Sequence, residues 1–265
     1  MTLAVVPGWA ATGDTGRPPA PVDGSDEVGA LRYSRDALGR ELGDHAFVDH
    51  LDRPVTLADF RGNPLVISLV YTRCADVCPI VSAAIVDAVD VAREALGDDS
   101  FNIVTIGFDS KYDTPSRMRT FARVNGLDRA RWHFLSADGD TIDRLAEDLG
   151  FAFFPSATGF DHIAQTTVID QEGRVYRHVY GESFSVPLLV EPLKQLVFGR
   201  RVVLTDWSGL VDRVRLVCTV YDPASGRYRF DYSLLAMMAG GLLSLGTIGF
   251  VLARSWVRGG PVRHS

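Results

Sequence analysis

Apolar and polar positions divide the chain into three unlike stretches. From about Asp44 to Arg200, short apolar runs alternate with segments of helical period, and no internal repeat is visible. The runs PLVISLVY (64–71), FNIVTIGFD (101–109) and RWHFLSA (131–137) are rich in β-branched and aromatic residues and read as buried strands. Between them lie IVSAAIVDAVDVAREAL and TPSRMRTFARVNGL, the second with Thr114 as N-cap and Pro115 at the first helical position. A third helix, DTIDRLAEDLG, leads to HIAQTTVIDQEGRVYRHVYGE, two strands around a turn at Gln171, Glu172 and Gly173; a last helix follows at VPLLVEPLKQLVF. This βαβαβ order with a closing hairpin predicts an α/β sheet covered by helices, its strand C-terminal loops open for chemistry.

The second stretch, Tyr232 to Ala253, runs 22 residues without a charge. As a helix it would extend about 33 Å, against roughly 30 Å for the hydrocarbon core of a bilayer, so it is expected to span a membrane. A buried core helix would show a polar face, and this one offers only Ser233, Ser244 and Thr247. Gly240 and Gly241 are costly in water and tolerated in lipid. Arg215, Arg227 and Arg229 before the span balance Arg254, Arg258 and Arg263 after it, so arginine count does not orient it. The third stretch is the start. LAVVPGWAA is apolar but short and without a basic leader region, and TGDTGRPPAPVDGSDEVG reads as a linker. The expected organisation is a leader and flexible linker over 1–43, a domain over 44–200, a juxtamembrane extension over 201–231, a transmembrane helix over 232–253 and a tail over 254–265.

Composition narrows the function classes. A length of 265 residues suits one core with appendages, and a net charge of −6 gives no electrostatic footprint for nucleic acid. Three cysteines are too few for a disulfide scaffold. Two of them, Cys74 and Cys78 in VYTRCADVCPI, fall where the first core strand hands over to the first helix. Four helical residues separate Cα atoms by about 6 Å, so the pair can either oxidise or clamp one soft ion. A helix N-terminus and neighbouring Arg73 are both expected to favour the thiolate. His162, at the mouth of the fourth strand, is the candidate third group: two thiolates and an imidazole suit three-coordinate Cu(I), whereas zinc asks for a fourth ligand. Cys218 lies beyond the expected domain, and nothing in the pattern decides between an inert apolar residue and an accessory thiol.

The motifs YTRCADVCP, FDSKYDTPSRMRTFA and DHIAQTTVIDQEGRV resemble those of the SCO/SenC family over about Asp44 to Arg200. The resemblance implies a thioredoxin-like sheet flanked by helices and copper ligation by Cys74, Cys78 and His162, as Cu(I) with Cu(II) left open. Asp109 and Asp113 match acidic positions near that site. VRLVCTVYDPASGRYRFDYS is similar to an extension of some bacterial members. The implied function is a metallochaperone for the dinuclear copper centre of cytochrome c oxidase, one that transforms no substrate. Its partners would be the copper-receiving oxidase subunit, other copper chaperones or thiol reductants, and the membrane. The alternative is a thiol-disulfide oxidoreductase using Cys74 and Cys78 to reduce the cysteines of a copper site; a peroxidase fits less well, since it needs one low-pKa cysteine in its own activating pocket and the close pair with a remote histidine suits metal better. Because the oxidase copper site lies on the outer side, the domain is expected there, in the periplasm, on a single-pass cell-membrane anchor with the tail in the cytoplasm.

Overall fold

The computed structural model describes residues 26–74, 77–127, 129–157, 159–199, 218–223 and 225–258. Seven strands form the main sheet in the order β2-β1-β5-β4-β3-β8-β9. Its centre is the predicted one: β3 (Leu65–Val70), β4 (Asn102–Gly107) and β5 (Trp132–Ser136) run parallel, and β8 (Gln165–Ile169) lies antiparallel against β3 with β9 (Val175–Tyr180) outside it. All six residues of β3 and all six of β4 are buried, as their unbroken apolar runs require when helices cover both faces.

The covering helices are α2 (Val77–Leu96), α3 (Pro115–Val124), α4 (Gly139–Leu149) and α5 (Val186–Phe198). Ile85, Ala88, Val89 and Ala92 of α2 are buried at helical spacing, each large one contributing about 1.5–3 kcal/mol. Asp138 caps α4 through the Thr141 amide at 2.8 Å, and Gly150 ends it at a φ of 61°.

The chain departs from the predicted boundaries at both ends. The expected linker over 1–43 contains α1 (Glu27–Arg35), begun by Asp26 accepting the Gly29 amide at 2.8 Å; residues 1–25 lie outside those described. Small buried residues hold the segment down: Ala30, Ser34 and Ala37 face the sheet, and the Ser34 hydroxyl reaches Gln165 Oε1 at 2.7 Å. Beyond α1 the backbone lies along the edge strand β9, with Gly39 donating to Val175 and Leu42 to Gly173. No apolar stripe marks this part, because its contacts are backbone and small side chains. β1 (Ala46–Asp49) and β2 (Pro54–Thr56) pair antiparallel and are too short to show a period.

The expected juxtamembrane extension likewise belongs in part to the folded body. β10 (Thr219–Asp222) and β11 (Arg227–Phe230) form a hairpin against α2 and α5. The Tyr228 hydroxyl donates to Glu191 at 2.8 Å, Lys194 donates to the Thr219 carbonyl, and Arg227 meets Glu94 at 3.6 Å. Cys218 is therefore not beyond the domain: only 3% of it is exposed. Residues 201–217 lie outside those described. The final helix, α6 (Ser233–Arg258), starts one residue after Tyr232, where Asp231 accepts the Ser233 amide at 2.8 Å, and runs on through Arg254. It contains one stretch long and apolar enough to cross a membrane, Ala236–Arg254, none of which is buried against the rest of the chain. The remainder of the expected tail, 259–265, is outside the described residues.

Candidate metal centre

The thiol loop leaves the C-terminal end of β3 and is held from below by one carboxylate. Asp113 accepts both the amide (2.8 Å) and the hydroxyl (2.7 Å) of Thr72 on one oxygen, and the Asp109 amide (2.9 Å) on the other. Burial pushes the Asp113 carboxyl up against the pull of those donors. Gly107 makes room for it, since a Cβ there would stand 2.4 Å from Asp113 Cβ. Arg73 is committed elsewhere: it pairs with Asp109 at 2.7 Å and lies 3.7 Å over the Tyr112 ring. The expected help from Arg73 to a thiolate is thus replaced by an ion pair that closes the loop on itself.

Cys74 precedes α2 instead of lying on it, and the turn before it closes through its amide on the Tyr71 carbonyl at 3.0 Å. The two cysteines therefore do not share a helical face, as their spacing suggests; Cys78 sits in the first turn of α2, and its amide donates to the Cys74 sulfur at 3.3 Å. Cys74 is thus the acceptor at a helix N-terminus, the position that best supports a negative sulfur. Cys78 is 3% exposed, and burial pushes its thiol well above the usual range. A bound cation would reverse that preference and release the proton. Neither cysteine is in a disulfide.

His162 ends β7 (Gly159–His162), which pairs with β6 (Phe153–Ser156) in a two-stranded hairpin of its own. Sequence pattern places it at the start of the next strand, and only Ile163 and Ala164 separate it from β8. Its ring packs edge-on to Phe108 (5.5 Å), near Phe151 (5.5 Å) and Tyr71 (6.2 Å). Burial lowers its pKa, so the imidazole is neutral near pH 7. Nδ1 lies 3.1 Å from the Ile163 carbonyl, which can only accept; Nδ1 therefore carries the proton and Nε2 keeps its lone pair for an ion.

Cys74, Tyr71 and His162 line one cavity of about 420 Å³ together with Val77, Phe160 and Asp161. The structure brings the Cys78 amide to the Cys74 sulfur and puts His162 on the same cavity as Cys74. Among the described residues, however, no three histidine, cysteine or acidic side chains are gathered closely enough to hold one ion as they stand. Donor types and the His162 tautomer fit a soft metal ion; closing the set requires the loop and the hairpin to approach. Asp109 and Asp113 support the loop, and neither lines this cavity. Sequence reasoning missed Tyr71, whose place next to the motif was visible but whose contacts were not.

No curated protein matches the chain in sequence. Among solved structures, a putative electron transfer protein from Aquifex aeolicus VF5 is 25% identical, covering 63% of this chain and 97% of its own, with a TM-score of 0.55. A SCO1/SenC family lipoprotein from Bacillus anthracis is 21% identical, with 60% and 96% covered and a TM-score of 0.54. BsSco, a member of the Sco family of cytochrome c oxidase assembly proteins in which a disulfide switch was identified, is 18% identical, with 60% and 95% covered and a TM-score of 0.54. The SCO1/SenC family model matches residues 35–197, well over half the chain and all of the main sheet except the first residues of its N-terminal support. With its helix-flanked, thioredoxin-like sheet and its CxxxC loop, the chain belongs to the SCO1/SenC family.

Proposed function

We propose that this protein is a membrane-anchored copper metallochaperone that holds Cu(I) through Cys74, Cys78 and His162 and delivers it to a subunit of cytochrome c oxidase. The observation that carries the reading is the tautomer of His162: a half-buried neutral ring, its Nδ1 spent on a backbone carbonyl, lines the same cavity as Cys74. An imidazole prepared in this way has its Nε2 lone pair available to a soft ion. α6 is the anchor, with the domain outside the cytoplasmic membrane and the chain end inside; protease added to intact spheroplasts is expected to digest the domain, and full protection would contradict that topology.

The oxidoreductase reading is favoured by one contact, the Cys78 amide on the Cys74 sulfur at 3.3 Å, which sets a buried cysteine beside a half-buried one. His162→Ala separates the two. In the chaperone it lowers copper retention and oxidase activity in membranes of cells lacking the wild-type protein. If oxidase activity stays normal while Cys74→Ala and Cys78→Ala abolish it, the chaperone reading fails and the pair is a redox couple.

A further inference from the structure

α6 follows the β10–β11 hairpin without slack. The Asp231 amide donates to the Cys218 carbonyl at 2.6 Å, extending the hairpin by one bond, and the Asp231 carboxylate accepts the Ser233 amide at 2.8 Å where α6 begins. Only Tyr232 lies between, and its carbonyl already takes a helical bond from the Ala236 amide at 2.9 Å. The apolar stretch begins at Ala236, about 4.5 Å of helical rise beyond Ser233. The headgroup layer on each side of a bilayer is roughly 5–7 Å deep, so a spanning α6 puts the end of β11 at that layer. Exposed Tyr232 then stands at the level of an interfacial aromatic belt.

The two faces of the hairpin divide to match. Tyr221 and Tyr228 are cross-strand partners on one face with ring centroids 5.3 Å apart, and the Tyr228 hydroxyl fastens that face to Glu191 of α5. On the other face Val220 pairs with Arg229 and Asp222 with Arg227, and Val220 and both arginines are exposed. Arg227 meets Glu94 at 3.6 Å and Arg229 meets Asp222 at 3.3 Å, single contacts that leave guanidinium donors over. Arginines flanking an apolar residue suit the boundary between lipid phosphates and acyl chains.

We infer that the β10–β11 hairpin is a mount that seats the folded domain on the lipid headgroup layer: its tyrosine face is bonded to the domain, and its Val220, Arg227 and Arg229 face meets the phosphates. α2 carries Cys78 about 24 Å along its axis from the Arg227–Glu94 contact. The thiol loop is thereby presented at a set place relative to the bilayer, and the partner it fits is a membrane-bound one that brings its own ligands there. The inference rests on the anchor part of the reading above and not on copper.

The test uses the full chain in phospholipid nanodiscs. A benzophenone amino acid replaces Val220 or, in a second protein, Ile80, an exposed residue in the first turn of α2 beside the thiol loop. After illumination, lipid adducts are counted by mass spectrometry. Adducts are expected at position 220 and not at position 80. Inserting about 12 Gly/Ser residues between Phe230 and Asp231 gives roughly 20 Å of slack, and the preference for position 220 is then lost. A thermal melt verifies that the inserted chain is folded. Equal yields at the two positions without the insertion, or a preference that survives it, overturn the mount. Extraction of the wild-type chain from membranes by alkaline carbonate would remove the anchor reading and the mount together, whereas retention with equal yields removes the mount alone.

Discussion

Two histidines sit near the same end of the closing strands, His178 buried on β9 and His162 half-buried just ahead of β8, and their surroundings differ in a way that burial alone does not reveal. His178 meets Thr167 Oγ1 (2.9 Å) and Gln165 Nε2 (3.1 Å) through Nδ1, while its Nε2 is buried with no hydrogen-bond partner among the described residues. Gln165 continues this network to Ser34 and the Leu149 carbonyl. His178 thus serves packing and a side-chain network that joins α1 to the sheet. His162 spends Nδ1 on the backbone, has aromatic rings for neighbours and lines a cavity shared with a sulfur. Each ring leaves one nitrogen over, and what distinguishes a candidate ligand from a structural histidine is what that ring faces.

The comparison can be broken most sharply at the sulfurs beside His162. Cys74→Ser or Cys78→Ser is expected to lower Cu(I) affinity by about a hundredfold or more, since a hydroxyl is a poor donor to a soft ion. Retention of wild-type affinity in either variant, measured by chelator competition, would remove that cysteine from the site.

A paired substitution comes next. His162→Ala should weaken Cu(I) binding about ten- to a hundredfold with little effect on the melting temperature, because it removes a donor from a cavity. His178→Ala should do the reverse, leaving copper stoichiometry at the wild-type value and costing about 2 kcal/mol in urea unfolding through its lost network partners. Identical behaviour of the two variants would erase the distinction.

Acid sharpens the same contrast. Burial pushes His178 down to about 4, against about 6.5 in an unfolded chain. A base whose folded pKa is depressed favours the native state above its unfolded pKa. The unfolded chain takes the proton first as pH falls, so stability drains away between about 6.5 and 4, by up to about 3 kcal/mol from this residue. His178→Gln should flatten that slope in unfolding curves recorded at pH 7 and pH 4.5. His162 is lowered by the same cause, so copper release on acidification is expected from protonation of the ligand over a range that His178→Gln does not move.

The smallest effect is expected at Cys218. It is buried by the β10–β11 hairpin, on the α2–α5 side of the domain, and takes no part in the cavity that Cys74 lines. Cys218→Ala should leave copper uptake unchanged and cost about 1 kcal/mol through a small packing defect. Loss of copper from this variant would bring the third thiol into the site.

Much of this architecture is legible in the residues themselves. β3 and β4 are six-residue apolar runs that only a strand buried on both faces explains, and α5 falls on VPLLVEPLKQLVF at the expected ends. The CxxxC spacing and the histidine motif name the candidate donors. The unpatterned parts were not legible. α1 is held by Ala30, Ser34, Ala37 and backbone bonds to β9, contacts that leave no periodic trace. The β10–β11 hairpin docks through Tyr228, Lys194 and Arg227, each ordinary in its own sequence neighbourhood.

Local composition and period set the centre of the sheet, the candidate donor types and a helix apolar enough for a bilayer. Packing decided that Arg73 pairs with Asp109, that Tyr71 lies against Phe160 and that His162 shares a cavity with Cys74. Those partners are 36, 89 and 88 positions apart, and a side chain's neighbour at such separations is set by how elements pack, which no single stretch of sequence encodes.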